Sequence, residues 1–202
     1  MGESENDYYY YHVASKELRE KAIELHFQRY MEVGFFKDGE VDPYQDSSVY
    51  FAAVYKEDHS VVGVNRLIFK PMNELPTLQE FTIYDLERKK LKLLESHLYA
   101  EMSALTKLPK HDCTLGMLRT TLQYSLENGI YYWFCSLDQR VHNYMRRMFN
   151  FPFIQIGEPK VYLGSTTVPC ILDLKETAKV LKDTRLKLYE YLYTPNPMEA
   201  IK

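Results

Sequence analysis

Apolar residues recur at three- and four-residue intervals after Ser15, with Leu18, Ala22 and Leu25 on one side and Ile23, Phe27 and Tyr30 widening the face. The spacing predicts a helix that opens at Ser15 and ends near Gly34. A polar loop follows over residues 37–46, punctuated by Gly39 and Pro43. β-Branched and aromatic residues then crowd 49–55 and 61–69, with the turn-like Glu57, Asp58, His59 and Ser60 between them, which predicts a hairpin. From Lys70 to Ser96 the pattern favours no single element, although the basic run 87–92 is helix-like and reads as a solvated face.

Near residue 97 the period changes to two. His97, Tyr99, Glu101 and Ser103 alternate with Leu98, Ala100, Met102 and Ala104, the signature of a strand with one polar side. Pro109 ends that strand. Asp112 is the expected N-cap of a helix that turns Leu115, Leu118, Leu122 and Leu126 inward and stops at Asn128 and Gly129. Residues 130–135 predict a short buried strand and 138–149 a helix. Strands over 153–156 and 161–172 should flank the turn at Gly157 and Pro159, and a last helix should run over 175–193. No internal repeat or low-complexity linker divides the chain, so one domain over 1–202 is expected.

Composition narrows the function. A hydrophobic share of 46% with 26% charged residues is that of an ordinary globular domain, and the formal net charge of -3 argues against a general nucleic-acid binder. The three cysteines lack a CxxC pairing and the six histidines lack HxxH or HExxH spacing, so neither a disulfide framework nor a metal site is expected. The acidic N-terminus has no apolar h-region, and no stretch approaches 18 apolar residues. Secretion and membrane insertion are therefore not expected, and a cytoplasmic location is.

The order of elements, taken with Arg29 and Tyr30, Asp42-Pro-Tyr44, Gly63 to Leu67, Leu75-Pro-Thr77 and Glu101-Met-Ser103, resembles the GNAT acyltransferase superfamily. Within it, the likeness is to acyl-homoserine lactone synthases and long-chain N-acyl amino acid synthases, over roughly residues 15–174. The chain departs from the common Glu-x-Ser-Arg at Ala104, and where a second aspartate is usual it offers Gln45 or, with a one-residue shift, Asp46. The resemblance implies an α/β (α+β) fold with a mixed, mainly antiparallel sheet flanked by helices. In such a sheet the strand holding Glu101 splays from the strand over 130–135, and a thioester donor lies in the gap.

On that reading an acyl-carrier-protein or CoA thioester is the co-substrate, a small amino-acid-like amine is the acceptor, and no cofactor is tightly bound. An α-amino group is largely protonated near neutrality, so a base is useful, and a partly buried Glu101 has the right kind of pKa. The alternative is that Glu101 forms a structural ion pair with Arg29 or Arg66. Arg29, Asp42 and Arg66 are the expected acceptor site, the arginines serving a carboxylate bidentately. Ser103 lies near the donor thiol, and Tyr144 stands near the tyrosine that many GNAT enzymes use to protonate the leaving thiolate. Donor contacts are expected from Leu105, Thr106, Lys107, Lys110, Thr114 and Gly116.

The glycine-rich phosphate loop of acetyl-CoA-dependent members is missing, since Gly116 stands alone. That favours a carrier protein docking on a basic rim of Lys107, Lys110, Arg119, Arg140, Arg146 and Arg147. The competing expectations are a CoA-dependent acetyltransferase with a diverged phosphate loop and a degenerate, non-catalytic domain that binds an acyl thioester.

Overall fold

The computed structural model describes residues 8–195. The acidic stretch before Tyr8 lies outside them. The chain runs β1 (Tyr9–Val13), α1 (Lys16–Glu32), β2 (Ser48–Tyr55), β3 (Val61–Ile68), α2 (Pro76–Glu80), α3 (Asp85–Leu91), β4 (Tyr99–Lys107), α4 (Thr114–Glu127) and β5 (Tyr132–Asp138). It continues through α5 (Gln139–Phe149), β6 (Ile154–Gln155), β7 (Lys160–Tyr162), β8 (Ser165–Asp173), α6 (Leu174–Thr184) and α7 (Leu186–Tyr193). The strands form one sheet in the order β1-β2-β3-β4-β5-β8-β6, with β7 paired to β8. All of these pairings are antiparallel except β4 with β5.

Both faces of the sheet are covered, which is why its central strands are apolar on both sides. Phe51, Leu67, Ala100, Met102 and Trp133 pack with Leu118 and Leu122 of α4, Leu181 of α6 and Leu192 of α7. On the other face Tyr50, Ala52 and Val64 meet Ala22 and Leu25 of α1, while Tyr99 and Phe134 meet Leu75, Phe81 and Leu91 from the α2–α3 region. Glu101 shares the Tyr99 side of β4 and so faces this second layer.

The parallel pair is short. Tyr99, Ala100 and Glu101 stand opposite Tyr132, Trp133 and Phe134, and beyond Glu101 the two strands part. On its other edge β4 keeps its partner β3 as far as Lys107, with an irregularity between Val64 and Arg66. There Ala104 adopts φ 56°, a left-handed conformation uncommon for a residue with a Cβ. The expected alternation therefore breaks at Ala104, and Leu105 turns outward.

Other boundaries also differ from the pattern. The tyrosine run at the start, assigned no element from sequence, is the edge strand β1. Cys113 rather than Asp112 is the N-cap of α4, and it makes no side-chain cap bond. The strand expected over 161–172 is two strands folded at Leu163 and Gly164, both with positive φ. The helix expected over 175–193 is broken at Arg185, whose φ of -144° and ψ of 56° lie outside the helical region.

Candidate active site

Where β4 and β5 part, a cleft of about 300 Å³ opens. Glu101 lies in its floor at 2% exposure, and its partner is neither expected arginine. The short helix α2 begins after Leu75, whose side chain has no oxygen with which to cap it. Glu101 supplies that cap from the neighbouring strand. The Thr77 amide donates to both carboxylate oxygens at 3.1 and 3.0 Å, and the Thr77 hydroxyl donates to Oε1 at 2.8 Å. Because that hydroxyl proton is committed to Glu101, the 2.7 Å contact between Thr77 and Ser136 has Ser136 as donor. Burial pushes the Glu101 pKa up from 4.5 to about 7, against the Thr77 hydrogen bonds and the Arg66 charge, which favour the ionised form.

Arg66 crosses the cleft wall from β3. It pairs with Asp42 through Nη1, a contact 5% and 1% exposed at the two side chains, and donates to Tyr50 Oη at 3.1 Å and from Nε to Ser103 Oγ at 3.0 Å. Asp42 also accepts from the Tyr44 amide at 3.0 Å, so it fixes the loop before β2. His26, fully buried on α1, stands 4.0 Å from Asp42 and 4.3 Å from the Tyr30 ring. Burial, with the Arg66 charge, pushes its pKa down to about 3, so it is neutral at physiological pH.

Four residues expected at the site thus line the cleft, Glu101, Ser103, Asp42 and Arg66, with Ala104 beside them. Arg29 does not join them. It lies at the end of α1 and pairs with Glu32, while Tyr30 lines the cleft from this helix and His26 lies buried beside Asp42. Tyr144 is also elsewhere, 54% exposed on α5 against Phe149. Tyr162 of β7 and Ser136 of β5 line the cleft instead, and burial pushes the Tyr162 hydroxyl up to about 12.

The expected donor contacts divide in the same way. Gly116 faces the sheet, and a Cβ there would fall inside the Tyr11 ring, so the missing side chain admits β1 rather than a phosphate. The Asp112 amide donates to Tyr9 Oη at 3.3 Å. Lys107 donates to the His111 carbonyl, and Arg119 to the Thr194 carbonyl. Thr106 and Thr114 are half-buried, whereas Leu105 and Lys110 are exposed. Of the expected basic rim, Lys110, Arg146 and Arg147 are exposed with no ion pair among the described residues, whereas Arg140 is held by Asp138. No helix among the described residues is long and apolar enough to cross a membrane.

Comparison with known proteins gives a consistent picture. The family model described as N-acyl amino acid synthase FeeM matches residues 21–173. The solved structure of FeeM, an N-acyl amino acid synthase from uncultured soil microbes, has a TM-score of 0.67 at 18% identity, covering 85% of this chain and 94% of that one. The AHL synthase LasI has a TM-score of 0.60 at 18% identity, covering 95% of each chain. A putative N-acetyltransferase from Lactobacillus plantarum has a TM-score of 0.56 at 13% identity, covering 82% of this chain and 97% of that one. At these identities the structural likeness is one of fold, a GNAT-like mixed sheet. Among curated proteins none matches the sequence.

Proposed function

The chain belongs to the FeeM N-acyl amino acid synthase family and is accordingly an N-acyltransferase, and we propose that it moves a fatty acyl group from a carrier thioester to a small primary amine, with Glu101 as the base. The observation that carries this reading is the placement of Glu101. It is buried at the point where β4 leaves β5, in the floor of the cleft, with a pKa near neutrality. A base poised there is ionised in a substantial fraction of molecules and still basic enough to accept a proton as the amine attacks.

In the proposed step the amine nitrogen attacks the thioester carbon, its proton passes to Glu101, and the carbon–sulfur bond breaks to leave an amide and a thiol. Tyr162, held protonated by its high pKa, is the candidate donor to the departing sulfur in place of Tyr144. Arg66, Asp42 and Ser103 hold the cleft wall in shape. The closed packing of Tyr11 on Gly116 and the uncradled start of α4 favour a donor with a single phosphate, the carrier-protein thioester, over CoA. Lys110, Arg146 and Arg147 are the candidate contacts for its acidic surface.

Mass spectrometry of lipid extracts from cells overproducing the chain should show new N-acyl amides. These should be absent from cells making Glu101→Gln at equal folded protein. Equal product from both would remove Glu101 from the chemistry, and no amide from either would overturn the reading.

A further inference from the structure

Glu101 is poorly placed to meet an amine by itself. It is 2% exposed, and Thr77 occupies both of its oxygens, the amide bridging the two and the hydroxyl bonding Oε1. The way out of this site runs through Thr77. Its Oγ1 stands 2.8 Å from Glu101 Oε1 and 2.7 Å from Ser136 Oγ, and Ser136 is half-buried and lines the cleft. Strand β5 leaves β4 after Phe134, the residue paired with Glu101, and Ser136 is the next β5 side chain on that side of the sheet. It therefore stands where the wedge has begun to open.

The chain of bonds has a direction. With Glu101 ionised, the Thr77 proton points at the carboxylate and the Ser136 proton points at Thr77. The Ser136 oxygen then has lone pairs left for the cleft, and among the described residues no donor reaches it. The other hydroxyls lining the cleft lead elsewhere. Tyr30 is bonded to the Ala104 backbone, Tyr44 donates to Gln79 Oε1 at 3.1 Å, and Ser103 accepts from Arg66. Among the described residues Ser136 is the cleft hydroxyl joined to the base by hydrogen bonds.

We propose that Ser136 is a further catalytic residue, taking the proton of the attacking amine and passing it through the Thr77 hydroxyl to Glu101. This rests on the acyltransferase reading and gives the route of its proton. As the nitrogen–carbon bond forms, the N–H bond breaks toward Ser136 Oγ, the Ser136 proton moves to Thr77 Oγ1 and the Thr77 proton to Glu101 Oε1. Each hydroxyl gains one proton and gives one, so the net change is a proton moved from nitrogen to carboxylate. The chain then points outward, and Glu101 returns its proton along it to water once the amide has left.

The test measures single-turnover amide formation by the full chain, with one fatty acyl thioester supplied on acyl carrier protein and on CoA, and a mixture of the common amino acids as acceptor. Ser136→Ala and Thr77→Val should each slow the step by about 10- to 100-fold with the donor KM unchanged. Ser136→Thr, which keeps the hydroxyl, should recover most of the loss. The double variant should be about as slow as the slower single one, because either change cuts the same chain. If Thr77→Val does not fold, the two Ser136 variants decide the matter alone. Ser136→Ala at the wild-type rate, a loss that threonine does not recover, or losses that multiply in the double variant would each overturn the relay and leave Glu101 to act directly. No amide from the wild-type chain with either donor would overturn acyl transfer itself, and the relay with it.

Discussion

Replacing Glu101 by glutamine isolates the energetics of holding a carboxyl group in the cleft floor. The folded protein raises the pKa of this group from 4.5 to about 7. Ionising it in place is therefore about 2.5 pKa units harder than in the unfolded chain, or about 3 kcal/mol. Below pH 4.5 the group is protonated in both states and has no differential effect. Between about pH 4.5 and 7 the unfolded chain ionises first, so stability falls as pH rises, and above 7 the loss is complete. Glutamine keeps an oxygen for the Thr77 amide and hydroxyl but has no proton to lose.

Urea denaturation at a series of pH values from 4.5 to 8.5 should then show the stability difference, variant minus wild type, moving in favour of the variant. The expected movement is about 3 kcal/mol, most of it between pH 5 and 7.5, or about 6–12 °C in Tm for a chain of this size. Groups that titrate alike in both proteins cancel. A difference that stays flat across the range would refute the reasoning. It would mean that the Thr77 donors and Arg66 offset burial fully, and that this carboxyl group has no tendency to titrate near neutrality.

Asp42→Ala should cost about 3–5 kcal/mol in chemical denaturation, because it strands the Arg66 guanidinium in a site 5% exposed; a loss near zero would mean the pair is solvated. Gly116→Ala should destabilise by about 1–3 kcal/mol through overlap with the Tyr11 ring, and combining it with Tyr11→Ala should give a strongly non-additive double-mutant cycle. Ala104→Gly, at φ 56°, should be neutral or stabilising by up to about 1 kcal/mol, while Ala104→Val should destabilise more than a strand valine ordinarily would. In single-turnover assays Tyr162→Phe should slow acyl transfer by about tenfold while Tyr144→Phe leaves it unchanged, and the reverse order would restore the sequence assignment.

The elements that sequence pattern located well are those whose signals are local. Helix α1 has its apolar spacing, the β2–β3 hairpin its β-branched runs and short turn, and α4 its leucine ladder and Asn128-Gly129 stop. Strand β1 escaped because four consecutive tyrosines offer no alternation to count, although Tyr9 is buried and Tyr10 exposed. The fold at Leu163 and Gly164 and the break at Arg185 escaped for the same reason: one glycine inside a strand-like run and one arginine inside a helix-like run are weak punctuation.

At the cleft, the residue types and approximate places of Glu101, Asp42 and Arg66 were legible, and so was the parting of two strands. Their partners were not. The cap that Glu101 provides to Thr77 joins residues 24 positions apart, and Ser136 enters 59 positions beyond Thr77. Nothing local announces such contacts. Arg29 was expected from the stretch that resembles the family and from its bidentate fork, yet the helix turns the face of Ala22 and His26 inward and leaves Arg29 to Glu32.

The separation of β4 from β5 has a further consequence for solubility. A strand edge stripped of its neighbour is ordinarily a hazard, because any extended chain can complete it, and proteins blunt such edges at the rim of a sheet with charge, proline or bulges. Here two such edges lie in the middle of the sheet, facing each other across a wedge closed at one end by the Glu101–Phe134 pair and bent on one side by the bulge at Ala104. Neither edge is presented flat to the outside, so a strand of another molecule would have to enter end-on and deform the wedge to pair with it. A slender, unbranched chain with an amide or two faces no such obstacle. On the proposed function, the wedge that a flat neighbouring strand cannot enter would sort guests by girth before any side chain reads them.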